Sequence, residues 1–164
     1  PQDAAWGYGH PVFVGSSSTV LYGFGGAFGS IHADGSGNET LVDEGGGGFG
    51  YPNPAVSPDL GRVVAAVRCP GDDQTWLRVY PYGSLPAPCD SGSKLAETQG
   101  FSSSPNEAAD PAWGPTGLIA YADGTDVFVV DPAGGAPDDL TLPLTQGAGE
   151  AFDPVWGSGC APIP

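Results

Sequence analysis

The sequence predicts an all-β chain built as an array of four-stranded antiparallel units, and three observations predict it. Short runs rich in Val, Ile, Phe and Tyr, bounded by Gly, Pro and Asp, recur along the 164 residues in the pattern of strands separated by tight turns. Within residues 110–145 four such runs follow closely: an aromatic-bearing start at 111–114, then 118–122, 127–130 and 140–145. The opening of that unit also recurs, as His10-Pro11-Val12-Phe13, Asn53-Pro54-Ala55-Val56, Asp110-Pro111-Ala112-Trp113 and Asp153-Pro154-Val155-Trp156. Its prolines stand 43, 57 and 43 residues apart, so the middle unit is 14 residues longer than its neighbours. A period in the forties with four strands per unit is that of a propeller blade or a β-solenoid coil.

The length suits one domain with a real core. With 28 Gly and 18 Pro the composition would signal disorder if it lacked periodicity, but these residues fall mostly where turns are expected, and helix is nearly excluded. Nineteen acidic against four basic residues give a net charge of −15, which speaks against nucleic acid and anionic membrane surfaces as partners, both of which need Lys and Arg. The same charge favours solubility and self-repulsion, relieved by high salt or divalent cations. No stretch approaches the ~20 apolar residues of a membrane-spanning helix. The chain opens on Pro1-Gln2-Asp3 without Met or a leader, and is expected to be a processed form or an excised fragment.

Several motifs match a known repeat. Ser57-Pro58-Asp59-Leu60-Gly61 followed by Val63-Val64-Ala65-Ala66 fits the Ser-Pro-Asp-Gly turn and apolar strand of the TolB-like β-propeller repeat. Leu118-Ile119-Ala120-Tyr121, Val127-Phe128-Val129-Val130-Asp131 and Gly134-Gly135 fit most of the remainder, and the chain resembles that family over about residues 10–158. The resemblance implies a β-propeller-like array of about three four-stranded blades, with repeats at about 10–52, 53–109 and 110–152 and terminal strand segments at 1–9 and 153–164. It implies a binding scaffold and carries no activity with it, although some relatives cap peptidases.

In the terminal segment 1–9, Trp6-Gly7 echoes Trp113-Gly114 and Trp156-Gly157, as an orphan strand of an adjoining blade would. The first repeat opens with 12–14, continues through 19–24 and 28–32, and closes with 40–42. Its last turn holds Asp34, Ser36 and Asn38, alternating oxygen-bearing side chains of the kind that can hold Ca²⁺. The distal bidentate Glu of a calcium loop has no clear equivalent, and alignment with the Gly-Gly turn of the third repeat favours a plain turn. Asn38-Glu39-Thr40 is also an N-glycosylation sequon, with Asn38 as acceptor in a secreted protein. The Gly-rich linker 45–52 leads to the second repeat.

Cys69 and Cys89 bracket much of the 14-residue excess. Paired, they would close a loop of about 20 residues, contribute roughly 3 kcal/mol and imply an extracytoplasmic compartment. The alternative is two free, buried thiols, and a metal site lacks the nearby His or Cys-x-x-Cys it would need. Cys160 is the odd thiol, either free or cross-linked to another chain.

No catalytic constellation emerges. His10 and His32 are the only histidines: His10 fills the pre-proline slot, and His32 is expected to bond between blades. Gly-x-Ser-x-Gly, His-Glu-x-x-His and phosphate-binding loops do not occur, and Asp72-Asp73 and Asp138-Asp139 read as solvated turn charge. Three blades are fewer than the four to eight of closed propellers, so something is expected to cover the end blades. The expectation is therefore a non-enzymatic, extracytoplasmic structural or interaction protein without cofactor. It would self-assemble through blade edges and donated terminal strands, with filaments one outcome, and residues 1–9 and 153–164 pairing within the chain the competing arrangement. The alternatives are a ligand- or protein-binding propeller fragment of a cell-envelope protein and the non-catalytic propeller of a hydrolase.

Overall fold

Three meanders form because each apolar run can pair only with the runs next to it across short turns. The first antiparallel sheet takes β1 (Val12–Phe13), β2 (Thr19–Phe24), β3 (Ala27–His32) and β4 (Glu39–Asp43) in chain order. The second takes β5 (Ala55–Val56), β6 (Arg62–Val67), β7 (Trp76–Pro81) and β8 (Ala96–Glu97). The third takes β9 (Ala112–Trp113), β10 (Ile119–Ala122), β11 (Val127–Val130) and β12 (Leu142–Pro143). The computed structural model describes residues 11–24, 27–43, 54–69, 74–85, 96–97, 110–122, 126–132, 142–143 and 154–156. All regular structure among them is strand, so the chain is all-β, with propeller-like blades.

Each blade turns from its first to its second strand in the same way. Val14, Ser57 and Gly114 donate their N–H to the carbonyls of Thr19, Arg62 and Leu118 at 2.9, 2.9 and 2.7 Å. The second and third turns also place a residue in the left-handed region, Leu60 at φ 58° and Gly117 at φ 87°. Glycine reaches that region freely, whereas leucine incurs roughly 1–2 kcal/mol. The Leu60 side chain, 42% exposed, reaches the first blade, where its Cδ2 lies 3.0 Å from where a Cβ on Gly15 would sit.

Pairing along the strands decides which side chains face which neighbour. On β6, Val64 and Ala66 pack toward the third blade with Ala55, Leu77, Val79, Ile119, Tyr121 and Val130. Val63, Ala65 and Val67 on the same strand point the other way, into clusters with Val14, Leu21, Phe28 and Tyr80. Both faces of the middle blade are covered, which is why β6 reads as an unbroken apolar run instead of alternating with polar residues. The opening strands β1, β5 and β9 approach one another from blade to blade, as inner strands of a radial array do.

Two local irregularities serve this packing. The register of β3 with β4 passes from Phe28↔Val42 to Gly29↔Thr40, so Leu41 is the extra residue of a bulge, and it packs against both clusters between the first two blades. Tyr22 pairs with Gly29, and its Cζ would lie 2.5 Å from a Cβ there, so only glycine admits the ring. In the second blade the connection from β7 to β8 spans residues 82–95, where part of the extra length falls.

Leu77 is 1% exposed at the centre of the cluster joining the second and third blades. Leu77→Ala is expected to lower unfolding stability by about 2–5 kcal/mol. The check is a urea titration in which the midpoint falls and the slope is unchanged.

Candidate functional site

The proline-opened triplets that recur through the sequence form the blade junctions. Pro54 and Pro111 are buried and Pro11 is exposed. Two residues on, an aromatic side chain turns back onto the preceding blade. Trp113 donates its indole N–H to the Ala55 carbonyl at 3.0 Å, and Trp156 repeats the step onto the Ala112 carbonyl at 2.8 Å. The two acceptors hold the same position in their blades, so residues 154–156 dock on the third blade as β9 docks on the second.

The turn of the preceding blade receives each ring. The Arg62 guanidinium lies 4.8 Å from the centroid of Trp113, and Asp59 holds Arg62 at 3.7 Å. A Cβ on Gly114 would come within 2.7 Å of Trp156 Cε2, so that glycine provides the seat for the indole. At the remaining two positions the side chain has no donor. Val56 packs into the cluster between the first two blades, where Leu60 over Gly15 adds to the contact. Phe13 is 59% exposed.

Strand register extends each junction residue into a row on one sheet face: Phe13↔Val20↔Ile31, Val56↔Val63↔Tyr80 and Trp113↔Ile119↔Val130. In the second and third blades Val63, Tyr80, Ile119 and Val130 are all buried, whereas on the first blade Val20 and Ile31 are only half-buried. Val155, at the position of Ala55 and Ala112, is 87% exposed.

The polar residues singled out from the sequence hold turns. The Asp34 carboxylate accepts from the Ser36 N–H at 2.9 Å and the Ser36 hydroxyl at 2.6 Å, and Tyr22 donates its hydroxyl to Asn38 Oδ1 at 2.7 Å. Asp34, Ser36 and Asn38 thus form a hydrogen-bonded turn, and among the described residues no group of three or more His, Cys, Asp or Glu is placed to hold a metal ion. His32, expected between blades, lies at the exposed end of β3 against Gly37 of its own hairpin, because the turn folds back over its ring. The buried Ser57 hydroxyl donates to Asp59 and accepts from the Arg62 N–H at 2.9 Å. Asp59 also accepts from the Gly61 N–H at 3.1 Å.

Cys69 is disulfide-bonded and packs against the Phe28, Ala65, Val67 and Tyr80 cluster, with the Arg78 guanidinium donating to its Sγ at 3.5 Å. Cys89, Cys160, His10 and the paired aspartates at 72–73 and 138–139 lie outside the described residues. Sequence reasoning missed Leu60 and Gly114 as junction residues. The alignment of Leu60 with the glycine of the repeat turn was the available signal for the first.

The fold and junctions define an all-β protein with propeller-like blades. No family model matches the chain. No curated protein matches it. Among solved structures it is similar to one from a structural and mechanistic study of two prolyl endopeptidases and the role of inter-domain dynamics in catalysis and specificity, at 15% identity and a TM-score of 0.49. That match covers 84% of this chain and 22% of the other, so the chain spans about a fifth of that protein's length.

Two predictions test the junction geometry. The Ser57 hydroxyl, then the Gly61 N–H, hold the Asp59 carboxyl below its ordinary value of 3.8. A value lowered by folding means that the ionised form stabilises the native state above the ordinary value and that this contribution is lost as pH falls through the folded one. The stability gap between wild type and Asp59→Asn is therefore expected to be widest above pH ~4 and to close below it, read from urea midpoints between pH ~6 and ~2.5. Gly114→Ala is expected to displace Trp156 and break its bond to Ala112, costing about 1–3 kcal/mol. Its signature is a red-shifted indole emission that disappears when Trp156→Phe is added.

Proposed function

We propose that the chain is a non-enzymatic structural or interaction module of the TolB-like β-propeller type, acting outside the cytoplasm by associating with copies of itself. The observation that carries this reading is the open row Phe13, Val20 and Ile31, which repeats the rows that the other two blades bury against a neighbour. An apolar junction surface of that design favours a partner that removes it from water. The family assignment draws support from the turns Ser57-Pro58-Asp59-Leu60 and Gly114-Pro115-Thr116-Gly117, which occupy equivalent places after the first strand of their blades. The disulfide at Cys69 supports an oxidising compartment, and its pairing with Cys89 is part of the proposal. A non-catalytic role is supported by Asp34 and Asp59, whose carboxylates are engaged in holding turns.

Charge sets the conditions for association. Two copies at −15 each repel over a Debye length of about 10 Å at 0.1 M salt, a range that shrinks to about 3 Å at 1 M. Apolar contact between them therefore strengthens with salt, the reverse of an interface built on ion pairs. Light scattering with negative-stain imaging of the native protein is expected to show particles that grow with concentration and with salt. Loss of the largest particles on reduction would assign Cys160 as a cross-link. A compact 16.5 kDa monomer under all conditions would overturn the reading in favour of a binding propeller fragment.

A further inference from the structure

We infer that Asn38 is an N-glycan acceptor and that its glycan stands on the open face of the first blade, a proposal that rests on the self-association reading and names a control of that interface. Of the chain's asparagines, Asn38 alone is followed two residues on by Ser or Thr. It stands at the end of the hairpin that joins β3 to β4, directly after Gly37 at φ 64° and directly before the first residue of β4. Asn38 and Thr40 are both exposed. An exposed hairpin end is accessible to a modifying enzyme and tolerates added bulk.

Local bonding leaves the reacting groups available. The Tyr22 hydroxyl donates to Asn38 Oδ1 at 2.7 Å, which fixes the amide through its oxygen. Asn38 Nδ2 and the Thr40 hydroxyl have no hydrogen-bond partner among the described residues. The donor of the glycan is a lipid pyrophosphate-linked oligosaccharide. Asn38 Nδ2 bonds to the anomeric carbon of the sugar, the bond from that carbon to the pyrophosphate oxygen breaks, the pyrophosphate leaves with the electron pair, and the amide proton passes to a base of the transferase.

Strand register puts this acceptor on the open face. Opposed residues of an antiparallel pair share a face, as do residues two apart on one strand. Phe13↔Val20↔Ile31 is one row, and Tyr22↔Gly29↔Thr40 is the next on the same face, because Tyr22 lies two residues from Val20. Leu21 and Phe28 have the opposite parity and are buried in clusters with the second blade. Thr40 therefore shares a face with the open row, and the bond from Tyr22 draws Asn38 to that side. The Tyr22 ring reaches Asn38 across Gly29, where its Cζ would lie 2.5 Å from a Cβ. A glycan there rises from the outer end of the face, since β4 is the strand farthest from β1. A second copy approaching the Phe13 row has to order or displace this hydrated chain, which costs entropy and desolvation and weakens the contact.

The test uses the full chain produced in its natural host, with intact mass and peptide mapping of the cytoplasmic and exported fractions. A glycan is expected on Asn38, kept in Thr40→Ser and lost in Asn38→Gln and Thr40→Ala; circular dichroism identifies any variant that fails to fold, and Asn38→Gln decides the outcome if Thr40→Ala does not. Sedimentation velocity in 1 M salt then compares the variants. Each unglycosylated form is expected to associate at least about tenfold more tightly than the glycosylated wild type, with Thr40→Ser matching the wild type. An exported chain without a glycan on Asn38 overturns this inference and leaves self-association standing. A chain recovered only from the cytoplasm overturns both this inference and the extracytoplasmic reading. A glycan whose loss leaves association unchanged overturns its place on the contact face. Unglycosylated chains that stay monomeric overturn the self-association reading and this control with it, while the acceptor is decided by mass alone.

Discussion

The fold depends on a middle blade that is buried on both faces. A four-stranded meander with one apolar face can rest on a core and leave the other to water, but here β6 sends Val64 and Ala66 to one side and Val63, Ala65 and Val67 to the other, all nearly inaccessible. Such a sheet has no solvent side, and its stability is largely that of its junctions. The hydrophobic contribution of burying a single Val or Leu, about 1.5–3 kcal/mol, exceeds the roughly 0.5–1.5 kcal/mol of a neutral hydrogen bond in the turns. The turns and caps therefore orient the blades, and the interblade clusters hold them.

The indole bonds refine this arrangement. A net contribution of about 0.5–1.5 kcal/mol from each is modest, but an N–H aimed at one carbonyl fixes the angle and register of adjoining sheets in a way that undirected apolar contact does not. Trp113 also leans on Arg62, which Asp59 holds, which Ser57 in turn holds, so a turn in the second blade and a ring from the third form one connected unit. The first junction is made without an indole. Leu60 takes a left-handed backbone that glycine takes in the third blade, and its side chain reaches over Gly15 of the first. The same structural position is thus filled by different chemistry according to what the neighbouring blade presents.

Much of the fold was legible because its signals are local. The runs at 19–24, 28–32, 118–122 and 127–130 coincide closely with β2, β3, β10 and β11, since β-branched and aromatic residues between Gly, Pro and Asp have little alternative to short paired strands. The junction triplets could be found by their proline, but not the direction in which Trp113 and Phe13 face, because the period-two alternation of a strand leaves the choice of side to the neighbour. His32 illustrates the limit. Its place in an apolar run suggested a partner in another blade, whereas the turn closed by Ser36 brings Gly37 back against its ring. In the oxygen-rich loop, the bonds that Ser36 makes to Asp34 and Tyr22 to Asn38 are likewise not written in the local pattern.

By itself the sequence determined the class, the number of strands per unit, the period and the acidic surface, because composition and turn chemistry act within a few residues of where they are written. Only the tertiary structure decided which carbonyl each indole meets, that Leu60 stands in for glycine, that Leu41 is turned inward by a bulge, and that Phe13 and Val155 stay exposed at positions whose counterparts pack between blades. The physical reason is that these features arise between residues far apart in the chain, 58 positions for Trp113 and Ala55, where packing geometry and not local preference selects the partner.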